Sequence, residues 1–353
     1  MQTTDHHARG DLFRWLEAHA ETWDTNFHSS HEILAKLATE KLTAIGIPSH
    51  FDGDGKTTAD AINAISQLAY SSLTAAFVLW AHRAYIECLL QSPNSALQEQ
   101  QLPLLVSGKK AGSAGLSNLM KHLADLEEME NFAQKFHGGY KLSGKMPWIT
   151  NINGNAYYAA CAAQCDDGQV YAFSLENNDK GITIENLDLI GLRSSDTKIV
   201  KMDHVVLSKE RILHDNISEW LKTLRPAFIS LQCGMFLGLA WRCIEEAKRH
   251  FDRRRSPLAQ QLDDVAEEIQ NLENTLTQQS RIGAFNQNPQ AIFKIRIELT
   301  ECVWKAILLE LKTRGGTAYL ENSCEGFPRR LREASFVPII TPSVTHLQKI
   351  LCQ

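Results

Sequence analysis

The sequence predicts a multi-domain α and β protein in three consecutive parts: an all-α N-terminal domain (1–108), a central antiparallel β-domain (109–215) and a C-terminal helical bundle (216–353). Three observations predict it. Apolar residues recur at helical spacing before about residue 105 and again after about residue 218. Between them, short alternating segments rich in β-branched residues take over. Paired Gly, Asn and Asp residues punctuate that middle stretch as tight turns.

Taken in order, helical spacing appears over Asp11–Ala20, Glu32–Ala44, Ala59–Leu68 and Ser72–Leu90. Gly46-Ile47-Pro48 and Gly53-Asp54-Gly55 break this region with a loop, and Pro93 to Ser95 punctuate it again before a short helix over Ala96–Leu105. Strand character follows in Val170–Leu175, Ile182–Leu187 and Ile199–Leu207. The turns between strands fall at Gly138-Gly139, Ser143-Gly144, Asp166-Asp167-Gly168 and Asn177-Asn178-Asp179. Long amphipathic helices return over Ser218–Arg255, Leu258–Arg281 and Pro289–Arg314, with a final group after Gly326. Short connections between them imply an antiparallel bundle.

Bulk properties narrow the function classes. A chain of 353 residues buries enough core to need no disulfide staples. A net charge of -5 without a dominant basic stretch argues against a nucleic-acid partner. Apolar runs such as Leu73 to Ala81 fall short of the roughly 20 residues of a membrane span. The polar, histidine-containing N-terminus lacks the apolar core of a signal peptide, so a cytoplasmic protein is expected. The 8 cysteines are scattered, and Cys161 and Cys165 have no second pair to complete a zinc set, so reduced buried thiols and no metal site are expected.

Two phrases carry chemistry. Ser143-Gly144-Lys145-Met146-Pro147-Trp148-Ile149-Thr150-Asn151 reads as a turn feeding a strand that bears an indole, a hydroxyl and an amide. Such a strand can hold a planar aromatic ring, with Trp covering a face or edge and Thr and backbone N–H groups meeting its polar atoms. The second phrase is Gly191-Leu192-Arg193-Ser194-Ser195-Asp196-Thr197. Together they resemble the paired signatures of the flavin-dependent acyl-CoA dehydrogenase superfamily, in that family's order and separation. Further resemblances run along the chain: Ala44–Gly55, Leu102–Asn118, Met202–Leu213, Glu245–Arg255 and Arg314–Ala334.

The resemblance implies a fold with an N-terminal all-α domain, a central antiparallel β-barrel and a C-terminal four-helix bundle. It implies a bound FAD, or FMN, held by Leu116, Ser117, Trp148, Ile149 and Thr150, with phosphates near Arg254 or Gly315-Gly316 of a partner subunit. It implies a small-molecule substrate, an acyl-CoA or analogue, and a homodimer or homotetramer. Read without the resemblance, Trp148 is an ordinary core indole, Ser117 a surface-turn residue and Gly315-Gly316 a helix stop. Arg193 and Asp196 either fix a turn by a local ion pair or meet the cofactor. Glu333, where the family has Asp, is expected in a structural pair.

The departures concern the reaction. Oxidising an acyl thioester needs a carboxylate to remove the α-proton. The family's usual glutamate position falls on Thr341, or on Ile340 in the other register, and neither is a base near pH 7. A minority position near 225–230 holds Arg225-Pro226-Ala227-Phe228-Ile229-Ser230, without a carboxylate. His346 stands in the tail, either as an ordinary structural residue, the role expected, or as a histidine base, and Glu321 and Glu325 are the remaining carboxylates to consider. Three functions follow: a flavin-dependent oxidoreductase of acyl-CoA dehydrogenase type lacking its usual base, a flavin monooxygenase of the same superfamily, or a non-catalytic flavin- or ligand-binding paralogue.

Overall fold

The structure, a computed structural model, describes residues 10–153, 156–252, 257–320 and 326–352. Five helices come first: α1 (Gly10–Thr25), α2 (Ser30–Thr39), α3 (Thr58–Ser71), α4 (Leu73–Leu90) and α5 (Ser95–Val106). Local chemistry sets their starts. Thr57 accepts from the Asp60 N–H while the Asp60 carboxylate accepts from the Thr57 N–H, a reciprocal cap that begins α3. Ser72 and Asn94 cap α4 and α5 in one direction only, their side chains accepting from the Ala75 and Leu97 N–H groups. The helix expected over Glu32–Ala44 stops at Thr39. Lys41 turns left-handed (φ 59°), and a 3-10 turn over Leu42–Ala44 keeps those residues buried.

Eight strands form one sheet: β1 (Ala111–Gly115), β2 (Phe132–Phe136), β3 (Gly139–Ile149), β4 (Tyr157–Cys165), β5 (Val170–Glu176), β6 (Ile182–Asn186), β7 (Lys198–Ser208) and β8 (Ile212–His214). Their order is β6-β7-β3-β2-β4-β5-β8, with β1 also on β4. The sheet is mainly antiparallel, but β1 and β2 both pair with β4 in parallel. A short helix, α6 (Ser117–His122), lies between β1 and β2, where no helix was expected.

Three long helices follow, α7 (Ile217–Arg249), α8 (Pro257–Arg281) and α9 (Pro289–Arg314), then two short ones, α10 (Phe327–Phe336) and α11 (Val344–Leu351). Pro338 and Pro342, which cannot donate a helical N–H, fall in the break between α10 and α11. α7 packs on α3 at close range. A Cβ on Gly238 would sit 2.0 Å from the Ser66 carbonyl, and one on Gly234 2.6 Å from the Ile62 carbonyl. These two glycines, one turn apart, fasten the N-terminal helices to the bundle. Contrary to the sequence expectation, α4 and α7 are long and apolar enough to cross a membrane by length and composition. Both are instead core helices: every residue from Leu73 to Leu89 is buried.

The bundle core contains a buried ion network. Glu310, fully buried, accepts from Arg314 Nε at 2.8 Å and from Arg330 Nε at 2.9 Å. Arg314 also donates to buried Glu246, 2.9 Å away, which in turn takes Arg242 and Arg249. Six of the cysteines (Cys88, Cys161, Cys165, Cys233, Cys243 and Cys302) are buried free thiols, and burial pushes the Cys161 and Cys233 thiols up to about 12. Cys352 is exposed, and Cys324 lies outside the described residues. No group of three or more metal-ligating side chains occurs among the described residues.

Candidate functional site

A cleft of about 740 Å³ opens where all three parts of the chain meet. Its residues come from α4, from the β1–α6 junction, from the end of β3, from the 189–192 loop, from α7 and α10, and from the 338–345 segment. The β1–α6 junction is clamped from α4. His82 Nδ1 accepts the Gly112 N–H at 2.9 Å, which leaves Nε2 to donate to the Leu105 carbonyl at 3.1 Å. Burial pushes this imidazole down to about 3, so it holds that neutral tautomer. Asn151 adds a second clamp, its amide donating to the Val78 and Gly112 carbonyls.

β3 breaks register against β7 between Met146 and Ile149. Trp148, inside that bulge, takes a left-handed backbone (φ 65°) and leaves its indole 57% exposed at the cleft. A bulky side chain in this region stores roughly 1–2 kcal/mol. Such strain and such bulges concentrate where a side chain must be aimed at a ligand. Thr150 also lines the cleft, its hydroxyl 3.1 Å from that of Thr197. Leu116 and Ser117 line the same space, and Ser117 Oγ lies 2.9 Å from Thr341 Oγ1. An exposed indole beside hydroxyls at Ser117, Thr150 and Thr341 fits a planar ring with polar edges.

One wall is aromatic. Phe77 stacks on Trp80 (centroids 5.7 Å apart), Phe336 meets Phe77 edge-on at 4.9 Å, and Phe228 meets Trp80 at 5.0 Å. Thus Phe228, from the minority position of the family's glutamate, contributes a ring to the cleft. Thr341 and Ile340, the two registers of the usual position, line it as well. Among the described lining residues there is no carboxylate. The two cations there, Lys121 and Arg332, are paired outward, Lys121 with Glu127 and Arg332 with Asp24 and Glu21.

The other expected site residues are dispersed. The Ile149 side chain is buried in the core, 3.0 Å from where a Cβ on Gly115 would stand, and it does not line the cleft. Gly315 ends α9 with φ 61°, and neither it nor Gly316 lines the cleft. Arg254, Glu321 and Glu325 lie outside the described residues. Arg193 and Asp196 do not pair with each other. Arg193 pairs with Asp188, and Asp196 pairs with Lys198 and accepts the Ser30 N–H, tying α2 to the β-domain. Glu333 pairs with Arg329 and accepts the Leu73 N–H. His346 is buried and absent from the lining. Burial first, then the charges of Arg225, Lys121 and Lys349, push it down to about 4, which makes it a poor base.

Sequence reasoning missed the aromatic wall on α4 and α10, because no motif in the sequence sets Phe77, Trp80 and Phe336 apart from other apolar helix residues. It also missed Gln232 and Arg296, both fully buried. Their one sequence signal was a polar residue on an otherwise apolar helix face.

The family model for the acyl-CoA dehydrogenase N-terminal domain matches residues 9–109. The chain is 30% identical over 205 residues to isovaleryl-CoA dehydrogenase of Arabidopsis thaliana, a match covering 56% of this chain and 50% of that protein. It therefore spans about half the length of the curated relatives it matches. The whole fold superposes on a glutaryl-coenzyme A dehydrogenase in complex with glutaryl-CoA, with a TM-score of 0.88 at 18% identity, covering 100% of this chain and 95% of that one. Its N-terminal part thus matches the acyl-CoA dehydrogenase N-terminal domain family, and the whole chain has the acyl-CoA dehydrogenase fold. A second solved structure, PigA with FAD and proline, superposes with a TM-score of 0.86 at 17% identity over 100% of this chain and 97% of that one. The α–β–α order expected from the sequence is the order found.

Proposed function

We propose that this chain is a flavin-dependent oxidoreductase of acyl-CoA dehydrogenase type whose cleft binds FAD and an acyl thioester or analogue without supplying the usual base. The observation that carries the reading is the cleft itself: an exposed, strained Trp148 beside Leu116, Ser117 and Thr150, in a lining that includes Thr341 and no described carboxylate. Bound flavin would supply the hydride acceptor. The chain's own residues do the rest. Trp148 covers a ring face or edge, Ser117 and Thr150 offer hydroxyls to polar ring atoms, and the aromatic wall excludes water from an apolar acyl group. We further propose a homodimer or homotetramer, in which a partner's residues near Gly315-Gly316 reach the cofactor phosphates.

The lack of a described carboxylate in the lining favours a second reading, a paralogue that binds flavin or ligand without catalysing dehydrogenation. Titration with FAD tests what both readings share. Wild-type protein should bind FAD and quench its fluorescence, and Trp148→Ala should bind it about tenfold more weakly through loss of the aromatic contact. Equal affinity in the two proteins would remove Trp148 from the site. No binding to wild type would remove the flavin.

A further inference from the structure

The segment that carries Thr341 is held from below by an unusual group. Arg296 of α9 is fully buried, and none of its partners is a carboxylate. Its Nε donates to Gln232 Oε1 at 2.7 Å, one Nη donates to the Thr300 hydroxyl, and the other donates to the Val337 carbonyl at 2.7 Å. The guanidinium plane lies over Phe236, 4.1 Å from the ring centroid. Gln232, also fully buried, passes the chain on: its Nε2 donates to the Thr341 carbonyl at 3.0 Å. The Thr341 hydroxyl then meets Ser117 Oγ at 2.9 Å. One continuous path thus runs from the bundle core, through both ends of 337–341, to the opposite wall of the cleft.

Two physical points give this path a purpose. A buried cation without an anionic partner is costly, and apolar residues of similar volume would often be at least as stable. Burial lowers this guanidinium to about 10, the mark of that cost. What an apolar side chain could not do is fix both the Val337 carbonyl and Gln232 with a rigid fork. The second point is a count of hydrogens. Ser117 and Thr341 bring two hydroxyl hydrogens, and their mutual bond uses one. Neither hydroxyl has another protein partner among the described residues, so one O–H remains for the cleft.

We propose that Arg296 and Gln232 are positioning residues that hold Thr341 against Ser117, so that the hydroxyl pair presents a single O–H donor to a carbonyl-type acceptor bound in the cleft. This rests on the reading of the cleft as a flavin site, and it gives the threonine in the glutamate's place a binding role of its own. A carbonyl oxygen matches that one free O–H, while the lone pairs left on the two hydroxyls stay open to a donor on the same ligand.

FAD affinity and thermal midpoint, measured side by side on purified protein, test it. Gln232→Glu keeps an acceptor on Arg296 and gains an ion pair there, but it turns the donor to the Thr341 carbonyl into an acceptor. The midpoint should hold or rise while the FAD Kd weakens roughly three- to tenfold, the loss of one hydrogen bond. Thr341→Val should weaken binding by the same factor, and Gln232→Glu should add little on that background because both act through one donor. If Gln232→Glu does not fold, Thr341→Val decides alone. Unchanged FAD affinity in a folded Gln232→Glu, or in Thr341→Val, overturns the proposal while leaving the flavin reading intact. Absence of FAD binding by wild type overturns both.

Discussion

Replacing Glu310 with glutamine is expected to lower the thermal midpoint by on the order of 10 °C, the largest stability effect of any single change considered for this chain. Glu310 is fully buried between Arg314 and Arg330, from α9 and α10. Glutamine matches its shape but not its charge, so the anion that Arg314 and Arg330 share in the core is removed. Breaking a buried pair by removing one partner costs about 3–5 kcal/mol, because the remaining charge stays buried. For a chain of this size each kcal/mol moves the midpoint by about 2–4 °C. Calorimetry of the two proteins checks the claim. A shift of only a degree or two would mean that Glu246, which also takes Arg314, carries the network without Glu310.

The largest effect on chemistry is expected from Thr341→Glu. Thr341 lines the cleft, and its side chain points across it to Ser117. A carboxylate there would stand in a lining that has none among its described residues, beside Phe77, Phe228 and Phe336. An apolar setting raises a carboxyl group toward the working pH of a general base. General bases contribute about 10²–10⁴-fold. Thr341→Glu should therefore accelerate exchange of a bound thioester's α-proton with solvent deuterium by roughly a hundredfold or more over wild type. Mass spectrometry of a recovered acyl-CoA reads this directly. Equal exchange in both proteins, with the thioester shown to bind, would mean that residue 341 does not face the α-carbon.

The contrast between these sites shows how much was legible beforehand. The α–β–α order was readable because helical and strand periodicities write themselves into sequence, and α9 was placed at Pro289–Arg314 by its proline and its glycine stop. Helix α6 was not readable, since six residues are too few to show a period. The parallel pairings of β1 and β2 with β4 are long-range, and no local pattern encodes a strand's partner. At the site, Trp148, Ser117 and Thr341 could be singled out because short phrases surround them. Ile149 could not be sorted from its neighbours, because the bulge between Met146 and Ile149 decides which side chain turns outward. Gln232 and Arg296 stayed hidden because their meaning lies in meeting each other across 64 residues of chain.

The most direct test of a flavin site without its base is to load wild-type protein with FAD and mix it, without oxygen, with a saturated acyl-CoA. The cleft as described predicts that the flavin absorbance appears on loading and persists after mixing, with negligible turnover on short, medium or branched substrates. Rapid loss of the flavin absorbance with formation of an enoyl thioester would contradict it, and would mean that a carboxylate such as Glu321 or Glu325 reaches the reacting carbon.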